Sequence, residues 1–145
     1  MTLTRANTEF LLEARLGPLM EAAGMVVTVV GSNADLNGPI GRAVRALGHS
    51  VASAVLVADA DVAQVTDAET DEFLDYGNLY TMSAILGNLD DVDIRVGPRS
   101  ESLSQLADQV ERKIIRLQKQ MERDYGYGLA EVESGYIAQD FAEHG

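Results

Sequence analysis

The sequence predicts a mainly α-helical fold: a small helical bundle with a long C-terminal helix, a minor β segment and an extended C-terminal tail. Three observations carry this. Leu103, Ala107, Val110, Ile114, Leu117 and Met121 are spaced 4, 3, 4, 3, 4, which places one apolar seam on a helix over about 100–124. Thr66-Asp-Ala-Glu69 is a capping box, and the apolar positions after it predict a second long helix. After Gly128 the composition changes: residues 129–145 hold Glu131, Glu133, Asp140 and Glu143 and no Lys or Arg. Residues 1–128 are therefore expected to form the core, and 129–145 an extension that orders on a partner.

The elements follow in order. Residues 4–23 read as a helix capped by Thr4, with Phe10, Leu11, Ala14 and Leu19 or Met20 on its apolar face. Gly17-Pro18 is expected to kink or split it, and Gly24 to end it. Met25 to Val30 is short and β-branched, hence an expected extended segment. A loop from Gly31 leads to a short helix over 38–47, with Asn37 as its cap and Pro39 in its first turn. Gly48 stops it. Residues 51–58 read either as a strand or as buried coil, and 59–65 as one or two helical turns. The helix opened by Thr66 is expected to stop at Gly87-Asn88. Asp67, Glu69, Asp71 and Glu72 lie in its first turns, where the helix dipole favours carboxylates. Val92, Ile94 and Val96 alternate with Asp93 and Arg95, a period-two pattern that predicts a short edge strand able to pair with another chain. Gly97-Pro98 turns the chain into the last helix, where Ser100 and Ser102 compete as cap.

Composition excludes several classes of function. At 145 residues the chain suits one core. With no cysteine, there is no disulfide framework, thiolate metal site or cysteine nucleophile. Imidazole comes only from His49 and His144. The net charge of −12 opposes ordinary phosphate-backbone binding, and no apolar run approaches a membrane span. The N-terminus lacks a signal-peptide pattern. No catalytic, cofactor-binding or metal residues are expected, and no enzyme activity.

Chemical motifs fare poorly against simpler readings. Asp59-Ala-Asp61 opens like a calcium loop, but Ala63, Gln64 and Thr70 occupy the remaining key positions, so helix-start acidity explains it better. Residues 27–43 resemble strand, Gly-rich loop and helix, yet contain neither G-x-G-x-x-G nor Gly-Lys-Ser/Thr. Asp71, Glu72 and Asp75 read as a solvated acidic face. Arg112, Lys113, Arg116, Lys119 and Arg123 place five of the eleven basic residues on the last helix. Glu111, Glu122 and Asp124 interrupt them and no aromatic side chain joins them for stacking, so salt bridging to an acidic neighbour fits better than nucleic acid.

The order of segments resembles the head–tail connector proteins of tailed bacteriophages, also called adaptor or head-completion proteins. The resemblance runs over about residues 4–128, through Leu36-Asn-Gly-Pro-Ile-Gly-Arg-Ala-Val-Arg-Ala-Leu-Gly48, Val57 to Val65, Leu74 to Leu89, Val96-Gly-Pro-Arg-Ser-Glu-Ser-Leu-Ser-Gln-Leu-Ala107 and Tyr125-Gly126. It is one of pattern, not of a chemical motif. It implies a structural virion protein, made in the host cytoplasm, that assembles as a homo-oligomeric ring, as a rule a dodecamer, beneath the portal protein. Such a ring extends the DNA channel without binding DNA specifically and docks a downstream neck or tail protein. It also implies that the C-terminal extension grips the portal, with Tyr136, Ile137 and Phe141 as anchors. The apolar segment 25–30 has no place in the family's helical core.

A closed ring needs two unlike side faces. The basic last helix and the acidic stretch 59–93 are candidates, since no Lys or Arg lies between Arg45 and Arg95. Arg112, Arg116, Lys119 and Ile94 are the expected subunit contacts. The alternative is a cellular helical interaction module that binds a basic partner.

Overall fold

Five α-helices follow one another along the described residues of a computed structural model, which covers 2–53, 55–96 and 100–126, with side chains described outside 90–96 and 100–103. They are α1 (Arg5–Ala22), α2 (Ala34–Ala46), α3 (Asp59–Val62), α4 (Thr70–Val96) and α5 (Ser100–Tyr125), with a 3-10 turn (Asp67–Glu69) ahead of α4. The fold is mainly helical, as expected, and no strand occurs among the described residues. None of the described helices is long and apolar enough to cross a membrane.

Helix α4 is the central post, and α1, α2 and α5 all pack on it. Leu12, Leu16 and Met20 recur every four residues on α1 and are buried. They meet Phe73, Leu79, Ile85 and Leu89 of α4 and Leu36, Ile40 and Val44 of α2 in one core. Each such side chain contributes ~1.5–3 kcal/mol when fully buried. Close approach of α1 to α4 depends on Gly77, because a Cβ there would lie 3.1 Å from Leu12 Cδ2. Helix α5 lies along α4 as the second arm of an antiparallel hairpin. Only Val110 and Met121 of its described seam are fully buried, while Ala107, Ile114 and Leu117 are partly covered.

Local signals set most boundaries. Thr4 caps α1, its hydroxyl accepting from Asn7 N at 3.1 Å. Gly24 (φ +77°) and Gly48 (φ +88°) end α1 and α2 in left-handed conformations that favour glycine. At each end the next residue's amide closes back, Met25 N to Met20 O and His49 N to Val44 O, the six-to-one bond of a Schellman turn. Ahead of α4, Glu69 Oε1 accepts from Thr66 N at 3.0 Å. The Thr66 hydroxyl donates to the same carboxylate, and the Glu69 amide takes the Thr66 carbonyl, so half of the expected box forms.

Four expectations are corrected. Helix α1 runs unbroken through Pro18; Gly17, lacking a Cβ, relieves part of the clash a proline imposes on its predecessor. Helix α2 starts one turn early, capped by Asn33, because Leu36 extends its buried stripe back to the chain's turn. Asn37 is instead inside the helix, and its Oδ1 accepts from Val57 N at 2.6 Å. Helix α4 does not stop at Gly87-Asn88, and the expected strand at 92–96 is its last turns. Ile85, Leu89, Val92 and Val96 are spaced 4, 3, 4, so the alternating run is also the end of a helical seam. Finally, 25–30 forms coil, not a β segment; of the two readings of 51–58, the described residues 51–53 and 55–58 take coil, mostly exposed. The expected core boundary at 128 and the extension 129–145 lie outside the described residues.

Candidate functional site

The basic side chains of α5 follow the helical repeat. Arg112, Arg116, Lys119 and Arg123 are spaced 4, 3, 4 and form one stripe, with Lys113 beside it. All five are exposed. Among the described residues, Arg112, Lys113, Arg116 and Lys119 pair with no carboxylate, while Arg123 meets only its exposed neighbour Asp124, at 3.7 Å. Arg112, Lys113, Arg116 and Lys119 thus lack carboxylate partners among the described residues of a strongly acidic chain.

Beside the stripe, α1, α4 and α5 enclose an open groove of about 300 Å³. Arg15 enters it from α1, and Lys113 and Arg116 from α5, which gives a cationic rim. Leu16, Met82 and Leu117 supply apolar walls, and Asn78 and Gln120 polar ones. Asn78 is buried, and its Oδ1 finds no hydrogen-bond partner among the described residues. An open valence of this kind costs ~1–3 kcal/mol unless something fills it.

Acidic and basic stretches adjoin at one end of this region. Tyr125 donates to Asp75 Oδ2 at 2.6 Å, tying the end of α5 to the start of α4. Burial pushes the phenol well above its usual range, and its bond to Asp75 and the nearby Asp71 and Glu72 charges push the same way. Asp75 also lies 4.0 Å from the exposed Arg15 guanidinium. The acidic start of α4 is therefore not a wholly solvated face.

A second surface feature is built from beneath. Arg5 and Glu9, one turn apart on α1, are fully buried and ion-paired at 2.8 Å. Arg5 also donates to Asn33 O (2.7 Å), Val57 O (2.9 Å) and Asn37 Oδ1 (3.2 Å). Glu9 accepts from Val30 N (3.2 Å), Gly31 N (3.0 Å) and Asn33 N (2.9 Å). At the loop's start, Asp35 Oδ2 accepts from Val26 N at 2.7 Å. The loop 25–33 is thus held at both ends, and between the tethers it exposes Val26, Val27, Val29 and Val30. Val55 and Leu56 are exposed in the neighbouring loop, and Phe10 stands out from α1 next to Glu9.

The expected site residues fall as follows. Arg112, Arg116 and Lys119 share the exposed face of α5; Ile94 lies on α4 rather than on an edge strand. Tyr136, Ile137 and Phe141 are outside the described residues. Asp59 and Asp61 serve the backbone: Asp59 Oδ1 accepts from Arg5 N, and Asp61 from Ala52 N and Ala58 N. Among the described residues no group of three His, Cys, Asp or Glu side chains could hold a metal ion. Sequence reasoning missed Arg5, Glu9, Arg15 and Asn78. The only sequence signal for the first two is an Arg and a Glu four apart, indistinguishable from an ordinary surface pair. Arg15 and Asn78 carry no signal, since their meeting with α5 is purely tertiary. Comparison with known protein families, curated proteins and solved structures finds no match for this chain.

Proposed function

We propose that this chain is a non-enzymatic structural subunit that closes into a ring of identical copies, of the head–tail connector type. In that role it sits in the virion neck beneath a portal, lets DNA pass without binding it specifically and docks a neck or tail component. The observation that carries the reading is the exposed stripe of Arg112, Arg116 and Lys119, unpaired among the described residues of a chain of net charge −12. In the assembled ring, carboxylates of a second copy complement it, and a chain of net charge −12 supplies them in excess. The loop 25–33 adds an unlike surface: apolar, tethered at both ends and formed by other elements. Two unlike surfaces suit the head-to-tail contacts that close a ring. Pairing of 25–30 with a neighbouring chain is where the minor β structure would form, and Tyr136, Ile137 and Phe141 of the extension are the portal anchors.

Cryo-electron microscopy of the chain mixed with a candidate portal tests this. A symmetric ring stacked on the portal is expected. The variant Arg112→Glu/Arg116→Glu/Lys119→Glu is expected to stay helical and form no ring. A folded wild-type chain that leaves the portal bare would instead favour a helical module for a basic partner.

A further inference from the structure

The groove between α1, α4 and α5 has a chemistry of its own. Its rim holds three cations, Arg15, Lys113 and Arg116, of which the last two are unpaired among the described residues. Its floor includes the buried Asn78. Met82 and Leu117 give it apolar walls. A free inorganic anion offers acceptors to the rim but no apolar contact. A peptide offers both: carboxylate side chains for the rim and apolar side chains for the walls.

We infer that, in the free subunit, the groove is occupied by residues 129–145 of the same chain. Those residues carry Glu131, Glu133, Asp140 and Glu143, no Lys or Arg, and the apolar Tyr136, Ile137 and Phe141. Their charge complements the rim and their apolar groups the walls. Reach is ample. Arg116 lies ten residues before Gly126 on a helix rising ~1.5 Å per residue, a distance of ~15 Å. The chain beyond Gly126 covers that within about five extended residues at ~3.4 Å each. Tethering favours the same chain over a neighbour, because an intramolecular segment acts at an effective concentration in the millimolar range. The inference does not rest on the connector reading. Within that reading, groove and portal compete for one segment, so the subunit withholds its anchor until the portal displaces it.

The two lysines of the chain make a direct test possible: Lys113 is on the groove rim and Lys119 is outside it. The full chain is treated at low concentration, without any portal, with a carbodiimide that joins a lysine amine to a carboxylate only in contact. Links from Lys113 to Glu131, Glu133, Asp140 or Glu143 are expected to exceed those from Lys119 at least fivefold. Mixing light and nitrogen-15-labelled protein is expected to place these links within single chains. Arg15→Ala/Arg116→Ala, both at exposed positions, is expected to cut the Lys113 links at least threefold with the helical signal unchanged. Equal linking at the two lysines, insensitivity to the double substitution, or links mainly between chains would each overturn the inference.

Discussion

At the scale of single residues, two glutamates on α1, Glu9 buried and Glu13 half-buried, behave oppositely. Glu9 is fully engaged by Arg5 and three backbone amides. Removing one member of a buried ion pair strands the other charge, a loss of ~3–5 kcal/mol. Arg5→Ala and Glu9→Ala are each expected to cost that much in urea denaturation, whereas an exposed i,i+4 pair would lose only a few tenths of a kcal/mol. Glu13, one turn further on, has a buried Oε2 with no partner among the described residues. Burial raises its carboxyl above the usual range, and the Glu9 charge adds to this. The folded state therefore holds the proton more tightly than the unfolded state. Stability from this group is present at acid pH and falls as pH rises from the unfolded value through the raised one. Glu13→Gln should thus raise the melting temperature at pH 7 and lose that advantage near pH 4. An equal gain at both values would contradict the assignment.

Among the elements, α4 is where local signals and tertiary structure part. Gly87-Asn88 looks like a stop, yet the helix continues, and among the described residues no neighbour lies within 4 Å of where a Gly87 Cβ would stand. Gly87→Ala is therefore expected to stabilise the protein by ~0.5–1 kcal/mol, read as a rise of about 3 °C in melting temperature. Gly77 in the same helix gives no such gain, because its missing Cβ is the space that Leu12 uses. Helix existence, the long α5 seam, the Thr4 cap and the Gly24 and Gly48 stops were all legible in the sequence, since each depends on residues within one turn. The start of α2 was not, because Asn33 and Asn37 are equally good caps until tertiary partners claim Asn37. Nor was the fate of 92–96, where five residues fit both a strand and the end of a helical seam. Of the candidate site, the basic stripe was legible from helical spacing. The groove was not, since its rim and floor come from residues about 60 and 100 positions apart in sequence, Arg15, Asn78 and Lys113.

For the whole molecule, charge distribution is the organising fact. The carboxylates are spread over the chain, while the cations gather on α5 and, buried or exposed, at a few points elsewhere. If copies associate through that stripe, assembly should weaken with salt, since exposed charge pairs are screened over ~8 Å at physiological ionic strength. Sedimentation of portal-bound assemblies between 50 mM and 500 mM salt is expected to show progressive loss of the subunit. Contacts through the valine loop should respond oppositely, because salts that strengthen apolar burial favour them. Val29→Asp/Val30→Asp would abolish assembly at all salt concentrations without unfolding the core, as both side chains face solvent.

The anchoring of the loop 25–33 also sets its clock. The amides of Val30 and Gly31 end on Glu9 Oε1 and that of Asn33 on Oε2, a carboxylate that lies inside the core and is held by Arg5, so releasing them leaves a buried charge short of donors. In deuterium, these three surface-loop amides should exchange more slowly than other loop amides, and that of Asn33, whose bond is buried, slowest. An incoming partner would then meet a loop already in its final shape and would lose little further freedom in ordering it.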